Sequence, residues 1–270
     1  MRKLLLLSLL AVSFQSCNEY QKALKNTEIK PKYDLAEELY KAEDYKRANR
    51  LFEQIAPKYI GKPQGERVMF FYAHSYFMIK DYNFAGYQFE RFVKSYPNSD
   101  KAEQSTFLSA KSYYYLSSDY SLDQTDTDKA LLKLQNFINA HPDSEYLAEA
   151  NKLAKELTTK KERKAFEIAR QYSKLGKSYR LEYSLSAVAA LDNFLSDYPG
   201  SVYREDVMYQ KVEAATNLAL NSTLFRKKIR LDDAKEAYRT LKKYYPESKF
   251  DKKVTNLMEK VDKELQNYSK

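Results

Sequence analysis

Few side chains in this 270-residue sequence are equipped for covalent or metal chemistry. There is one thiol, Cys17, and there are two imidazoles, His74 and His141. Hydrolytic or group-transfer catalysis needs a nucleophile, a base and a stabilising donor that converge. Three such residues far apart in the chain do not suggest that convergence. No histidine–carboxylate spacing suited to a metal is present, and five glycines in all leave little material for a phosphate-cradling loop. No catalytic residue, metal or cofactor is therefore expected. The thiol has another use. Cys17 follows the small residue Ser16 at the end of an apolar run, where it either carries lipid through a thioether or is a chance cysteine beside an ordinary cleavage point. Charge chemistry concentrates at Arg226-Lys227-Lys228-Ile229-Arg230. This basic knot reads either as a solvated loop or as a patch that steers and salt-bridges an acidic partner.

The leader supports the lipid reading. Met1-Arg2-Lys3 is a short basic start, and Leu4 to Phe14 is apolar apart from Ser8 and Ser13. Such a run is too short to cross a ~30 Å hydrocarbon core as a helix, but it suits a secretory h-region. With Ser16-Cys17 at its end, the segment resembles a bacterial lipoprotein signal. The resemblance implies a signal peptide over 1–16, a lipidated tether over 17–31 and, from Asn18 after the cysteine, transfer to the outer membrane. An exported chain with one thiol has no disulfide to form within itself. Several acyl chains hold a protein on a membrane where one does not, and the body is expected on the periplasmic face.

Composition sets the fold class. Gly (5) and Pro (7) are scarce, Trp is absent, and the chain is rich in Lys, Glu, Leu and Ala, which interrupt a helix least. Its 25 tyrosines supply bulk to thin layers, because a tyrosine can bury its ring and leave its hydroxyl wet. The net charge of +9 comes from 46 basic and 37 acidic residues that are interspersed, with no long arm of like charges, so nucleic acid is not the expected partner.

Four segments align on their prolines, Pro97, Pro142, Pro199 and Pro246. Twelve residues before each stands alanine: Ala85, Ala130, Ala187, Ala234. Eight before stands a large apolar residue, Phe89, Leu134, Leu191 or Tyr238, and five before, Phe92, Phe137, Phe194 or Leu241. A ring precedes each proline (Tyr96, His141, Tyr198, Tyr245), and serine follows two residues later (Ser99, Ser144, Ser201, Ser248). A fifth copy carries Ala48, Phe52 and Ile55 in the same frame, with Ile60 in the place of proline. These offsets share one helical face. Alanine admits a neighbouring helix, proline stops its own, and serine is suited to cap the next. The pattern predicts a stack of helix hairpins.

That stack resembles a tetratricopeptide array, best from about Gln64 to Pro97, with Met69, Tyr72, Ala73 and Tyr76 on the first helix. Proline spacings of 45, 57 and 47 residues exceed the usual ~34 and imply insertions near Tyr120–Asp128, Lys177–Ser184 and Asn221–Arg230. The expected fold is all-α: a tetratricopeptide-repeat superhelix of about five helix-turn-helix repeats plus a C-terminal capping helix. Repeats one to three are expected over 32–145, and repeats four and five with the cap over 146–270.

Within that class, Leu122 to Tyr146 is similar to a stretch of the BamD family of outer-membrane protein assembly lipoproteins, through Asp123, Gln124, Thr125, Ala130, Phe137, Pro142, Ser144 and Tyr146. Ala169, Tyr172 and Gly176 match a second motif of that family. The resemblance implies a non-enzymatic scaffold of the β-barrel assembly machinery, with the POTRA domains of a BamA-type insertase on the C-terminal repeats and unfolded barrel precursors on the N-terminal ones. Another periplasmic adaptor lipoprotein, coordinating envelope or division proteins, stays open as the alternative. A glycan-binding relative would want a ring platform, which the missing Trp disfavours.

In a tetratricopeptide stack the concave wall comes from the first helix of each pair. Those positions carry Tyr33 and Tyr40, then Arg67, Phe70, His74 and Phe77, then Phe107, Lys111 and Tyr114. Rings beside cations could hold an extended peptide that ends in an aromatic residue and a carboxylate, with Arg67 bonding the carboxylate. The same rings could equally pack between helices. The membrane contact is the simplest expectation to test. Intact mass of the mature protein should show loss of residues 1–16 and fatty acid on Cys17, and Cys17→Ser should release it from membranes. An unmodified thiol in the membrane-bound protein would contradict this.

Overall fold

A computed structural model describes residues 19–177 and 181–268, which are helical with no strand among them. Cys17, the expected lipid site, lies outside the described residues. The described part of α1 is 19–25. There follow α2 (Ile29–Lys41), α3 (Tyr45–Tyr59), α4 (Gly65–Met78), α5 (Tyr82–Ser95), α6 (Ala102–Leu116), α7 (Thr125–Ala140), α8 (Leu147–Leu175), α9 (Leu181–Asp197), α10 (Arg204–Leu220), α11 (Leu224–Tyr244) and α12 (Asp251–Tyr268). The chain divides into two compact units, and the division falls within α8, between Thr158 and Thr159.

In the first unit the hairpins α2/α3, α4/α5 and α6/α7 pack each against the next. The turns inside the first two are built alike. Asp44 N–H reaches Leu39 O (2.8 Å) and Glu43 N–H reaches Tyr40 O (3.1 Å); Asp81 and Lys80 do the same to Tyr76 and Phe77 at 2.9 and 3.0 Å. This is the paired-bond closure of a helix C-terminus, and it places Glu43 (φ 60°) and Lys80 (φ 65°) in the left-handed region. The next residue starts the return helix: Asp44 accepts from Arg47 N–H (3.2 Å), and Asp81 accepts from Phe84 N–H. One αL residue followed by an aspartate cap thus turns the chain back on itself.

The repeat register sets the core. All five alanines of the frame, Ala48, Ala85, Ala130, Ala187 and Ala234, are wholly buried, as are Phe52, Phe89, Leu134, Leu191, Phe92, Phe137 and Leu241. In the first unit Ala150, Leu153 and Leu157 of α8 complete that core. In the second, Phe166 and Ala169 of α8 join Ala187, Leu191 and Phe194, while α10, α11 and α12 close over Leu231, Leu241, Val254 and Val261. Gly176 makes a close approach there, since a Cβ would stand 3.2 Å from Ser184 Cα and 3.3 Å from Ala187 Cβ. After Ile60, which stands in the place of proline, Gly65 lets α4 pass Tyr59; a Cβ would lie 2.2 Å from its carbonyl oxygen.

The loops that leave the second helices share one device. Ser99 N–H donates to Tyr96 O (3.2 Å) across Pro97, and Ala102 N–H donates to Ser99 O (2.9 Å), giving two turns in succession. The same bonds recur at Ser144 and Ser201. The serine does not cap the following helix as expected. Its Oγ accepts from the N–H two residues on, at Lys101, Tyr146, Tyr203 and Phe250 (3.0–3.2 Å), before the helix begins. At three loops that hydroxyl also donates to a glutamate in the first turn of the same repeat's first helix: Ser99 to Glu66 (2.5 Å), Ser144 to Glu103 (2.5 Å) and Ser248 to Glu205 (2.8 Å). Four residues past that glutamate a ring receives the side chain two residues beyond the serine. Phe107 stacks on Tyr146 (4.8 Å), Tyr209 on Phe250 (4.1 Å), and Lys101 Nζ lies 5.6 Å over Phe70. Phe166 stacks on Tyr203 at 4.4 Å in the remaining repeat, where Glu162 holds the equivalent sequence position. Each stack contributes about 0.5–1.5 kcal/mol beyond its buried area.

Phe107, 1% exposed, lies at the centre of one such clamp, whereas Leu132 on α7 is 61% exposed. Phe107→Ala should cost about 3–5 kcal/mol and Leu132→Ala no more than about 0.5 kcal/mol, measured by chemical denaturation. Equal losses would contradict this assignment of the core.

Candidate functional site

The first helices of the N-terminal unit do carry the expected rings, but they are used unequally. Phe70 is 7% exposed and packs among Phe89, Phe92 and His74; Phe107 is enclosed by Phe137 and Tyr146. Both belong to the loop clamps, and a ligand on the surface cannot reach their faces. Tyr33, Tyr40, Phe77 and Tyr114 are only partly buried, which leaves them at the surface of the core.

The polar members already have partners within the protein. Tyr40 stacks on Phe71 at 4.0 Å, and its Oη lies 2.8 Å from His74 Nδ1. Burial, with Lys101's charge adding to it, pushes the His74 pKa down, and burial pushes the Tyr40 hydroxyl up. Both groups are therefore neutral, and one hydrogen bond joins Tyr40 Oη to His74 Nδ1. Arg67 remains 57% exposed while its Nη1 stands 3.2 Å from Glu37; a hydrogen bond to Tyr33 raises the guanidinium pKa further. Lys111 pairs with Glu149 at 2.7 Å and covers the ring of Phe107. Tyr114 donates to Glu156 at 2.5 Å, and that bond, together with burial, pushes its pKa up to about 12. A peptide carboxylate at Arg67 would have to compete with Glu37.

Sequence reasoning missed two further rings beside these. Tyr115, 45% exposed, stacks on Tyr82 at 4.4 Å, with Phe77 6.1 Å away. The signal was the run Tyr113-Tyr114-Tyr115, which sends rings around most of α6. A cleft of about 390 Å³ opens elsewhere, lined by Glu90, Val93 and Lys94 of α5, Thr106 and Ser109 of α6, and Lys133 and Asn136 of α7. Lys133 and Glu90 form an ion pair in its lining at 2.7 Å. Among the described residues no group of three or more His, Cys, Asp or Glu is placed to hold a metal, and no helix is long and apolar enough to cross a membrane.

Two sequence motifs prove to be structural clips. Asp123 accepts from Thr125 N–H (2.9 Å), and buried Gln124 donates to the carbonyls of Asp119 and Leu122 while accepting from Thr127 (2.9 Å). Together they fix the long entry to α7. The basic knot is not a loop between helices: Arg226, Lys227, Lys228 and Arg230 lie in the first two turns of α11. Lys227 Nζ bonds Glu264 of α12 (2.5 Å), and Arg230 reaches Ser222 Oγ (2.6 Å), so those two hold the hairpin together. Arg226 and Lys228 are exposed.

The family described as "YfiO: Outer membrane lipoprotein" matches residues 25–181 and 176–269. The chain belongs to that family. YfiO proteins are the BamD-type lipoproteins that the Leu122–Tyr146 stretch resembles, and the match spans the repeats of both units. No curated protein matches the chain in sequence. Among solved structures it is similar to a Podosopora anserina protein, described as a kinesin light chain, with nearly identical TPR-like repeats. The two are 12% identical over 83% of this chain and 96% of that one, with a TM-score of 0.33, and nothing about function follows from it. The YfiO family is of the scaffold and adaptor type.

Buried His74 yields a pH test. Its folded pKa lies below the ordinary ~6.5, so the unfolded chain binds more protons as pH falls through that value, and stability falls with it. The contribution is complete above about pH 6.5. Denaturation midpoints of the wild type should therefore drop more steeply between pH 7 and pH 5 than those of His74→Gln. Parallel slopes would mean that the imidazole takes its proton in the fold.

Proposed function

We propose that this YfiO-family chain is a non-enzymatic scaffold of the outer-membrane β-barrel assembly complex, anchored by an acylated Cys17 on the periplasmic face. The family match across 25–269 carries the reading. In it, the repeats of the second unit bind the POTRA domains of a BamA-type insertase. The first unit meets unfolded barrel precursors through the partly buried rings Tyr33, Tyr40, Phe77 and Tyr114, with Arg67 beside them and Tyr82 and Tyr115 extending the surface. Phe70, His74, Phe107 and Lys111 support that surface from beneath, through stacking, hydrogen bonding and ion pairing. Rings of this kind give contact area at low entropy cost, and precursor segments rich in alternating aromatic residues would meet them in extended form.

Affinity purification of the acylated protein from its own membranes tests the reading. A large β-barrel protein with POTRA domains should be retained in stoichiometric amount. Retention of cell-wall synthases or division proteins in its place would assign the chain to the other class of envelope adaptor.

A further inference from the structure

The amino-terminal end of α11 differs from the start of the other helices in its unit. The first turns of α9, α10 and α12 carry acids, Glu182, Glu205 with Asp206, and Asp251, as the helix dipole favours. That of α11 carries no acid, and Arg226, Lys227 and Lys228 follow within its opening turns. The first wholly buried residue of this helix is Leu231, so 224–230 extend about two turns beyond the core. On that extension Leu224 is 77% exposed, Phe225 87% and Ile229 58%. Phe225 and Ile229 lie one turn apart on one face, with Leu224 and Lys228 beside them. Arg226 sits over the Phe225 ring at 5.8 Å. Lys227 and Arg230 are turned to Glu264 and Ser222 and brace the hairpin, while Lys228 shares Asp232 in an exposed pair (3.2 Å).

We propose that these two turns are a membrane-interfacial element, which lays Leu224, Phe225 and Ile229 into the headgroup region of an anionic phospholipid surface with Arg226 and Lys228 against lipid phosphates. An apolar face of Phe, Leu and Ile flanked by Lys and Arg is the composition of helices that lie in an interface. A protein-binding core of the same size is depleted in lysine, which weighs against an acidic protein face as the occupant. Asp232, one turn on, weakens the attraction and places the contact at 224–230. Membership of an outer-membrane lipoprotein family brings such a surface within the protein's surroundings. This contact adds to the one at Cys17 and does not depend on it.

The sequence contains no tryptophan, so Phe225→Trp creates a single reporter at an exposed position. The chain from residue 17 onward, carrying Cys17→Ser so that it cannot be acylated, is mixed with vesicles of phosphatidylethanolamine and phosphatidylglycerol. The emission should shift to the blue and be quenched by brominated acyl chains, and pure phosphatidylcholine vesicles should produce far less of either. Adding Arg226→Gln and Lys228→Gln should weaken partitioning roughly thirtyfold, at ~1 kcal/mol for each cation near an anionic surface. In flotation without the reporter, Phe225→Ser should weaken it about tenfold. Helical content and melting should match the parent for every variant. Emission unmoved by anionic vesicles in the folded protein, or partitioning indifferent to the two glutamines, would overturn the proposal and leave the anchoring at Cys17 standing.

Discussion

A two-helix unit of this size has an apolar face that nothing inside the unit covers. Here, in the α4/α5, α6/α7 and α10/α11 repeats, the closing contact is the grip of the first helix on the loop that leaves its own second helix. A glutamate takes the loop serine's hydroxyl, and a ring one turn later takes the side chain two residues beyond it. Because that loop also leads into the next first helix, the grip fixes where the following repeat begins. Close approach between neighbours then depends on the buried alanines of the frame, where a larger side chain would force the helices apart.

This constraint redistributes the residues available for binding. Phe70 and Phe107 occupy wall positions of the repeat, but they serve the clamp and are lost to ligands. His74 and Lys111 are occupied beside them by Tyr40 and Glu149. What stays open is a thinner set of tyrosines and one phenylalanine, with Arg67 already leaning on a carboxylate. Such a surface suits many weak contacts along an extended chain better than one deep pocket.

The fold was legible because its determinants lie at fixed short spacing. Ala85, Phe89 and Phe92 occupy one face of one helix, and the recurrence of that pattern before Pro97, Pro142, Pro199 and Pro246 announced the hairpins. The clamp was illegible for the opposite reason. Glu103 and Ser144 are 41 residues apart, and an E-x-x-x-ring spacing looks like any helix surface until the loop is seen against it. His141 shows the same limit: it looked like a substitute ring, and it also brings Nδ1 to 3.7 Å from Glu103. At α11 the dense run Arg226 to Arg230 read as a solvated loop or a steering patch between helices, whereas it lies in the opening turns of the helix, with Lys227 bonded to Glu264 and Arg230 to Ser222.

The grip itself can be measured by a double-mutant cycle on Glu103→Ala and Ser144→Ala, followed by denaturant unfolding. The account predicts that the two changes are not additive, with a coupling of about 1–2 kcal/mol, as for a hydrogen bond to a charged acceptor. Additive losses would mean that the loop is held by its ring stack and backbone turns alone, and that the carboxylate has no part in setting the repeat.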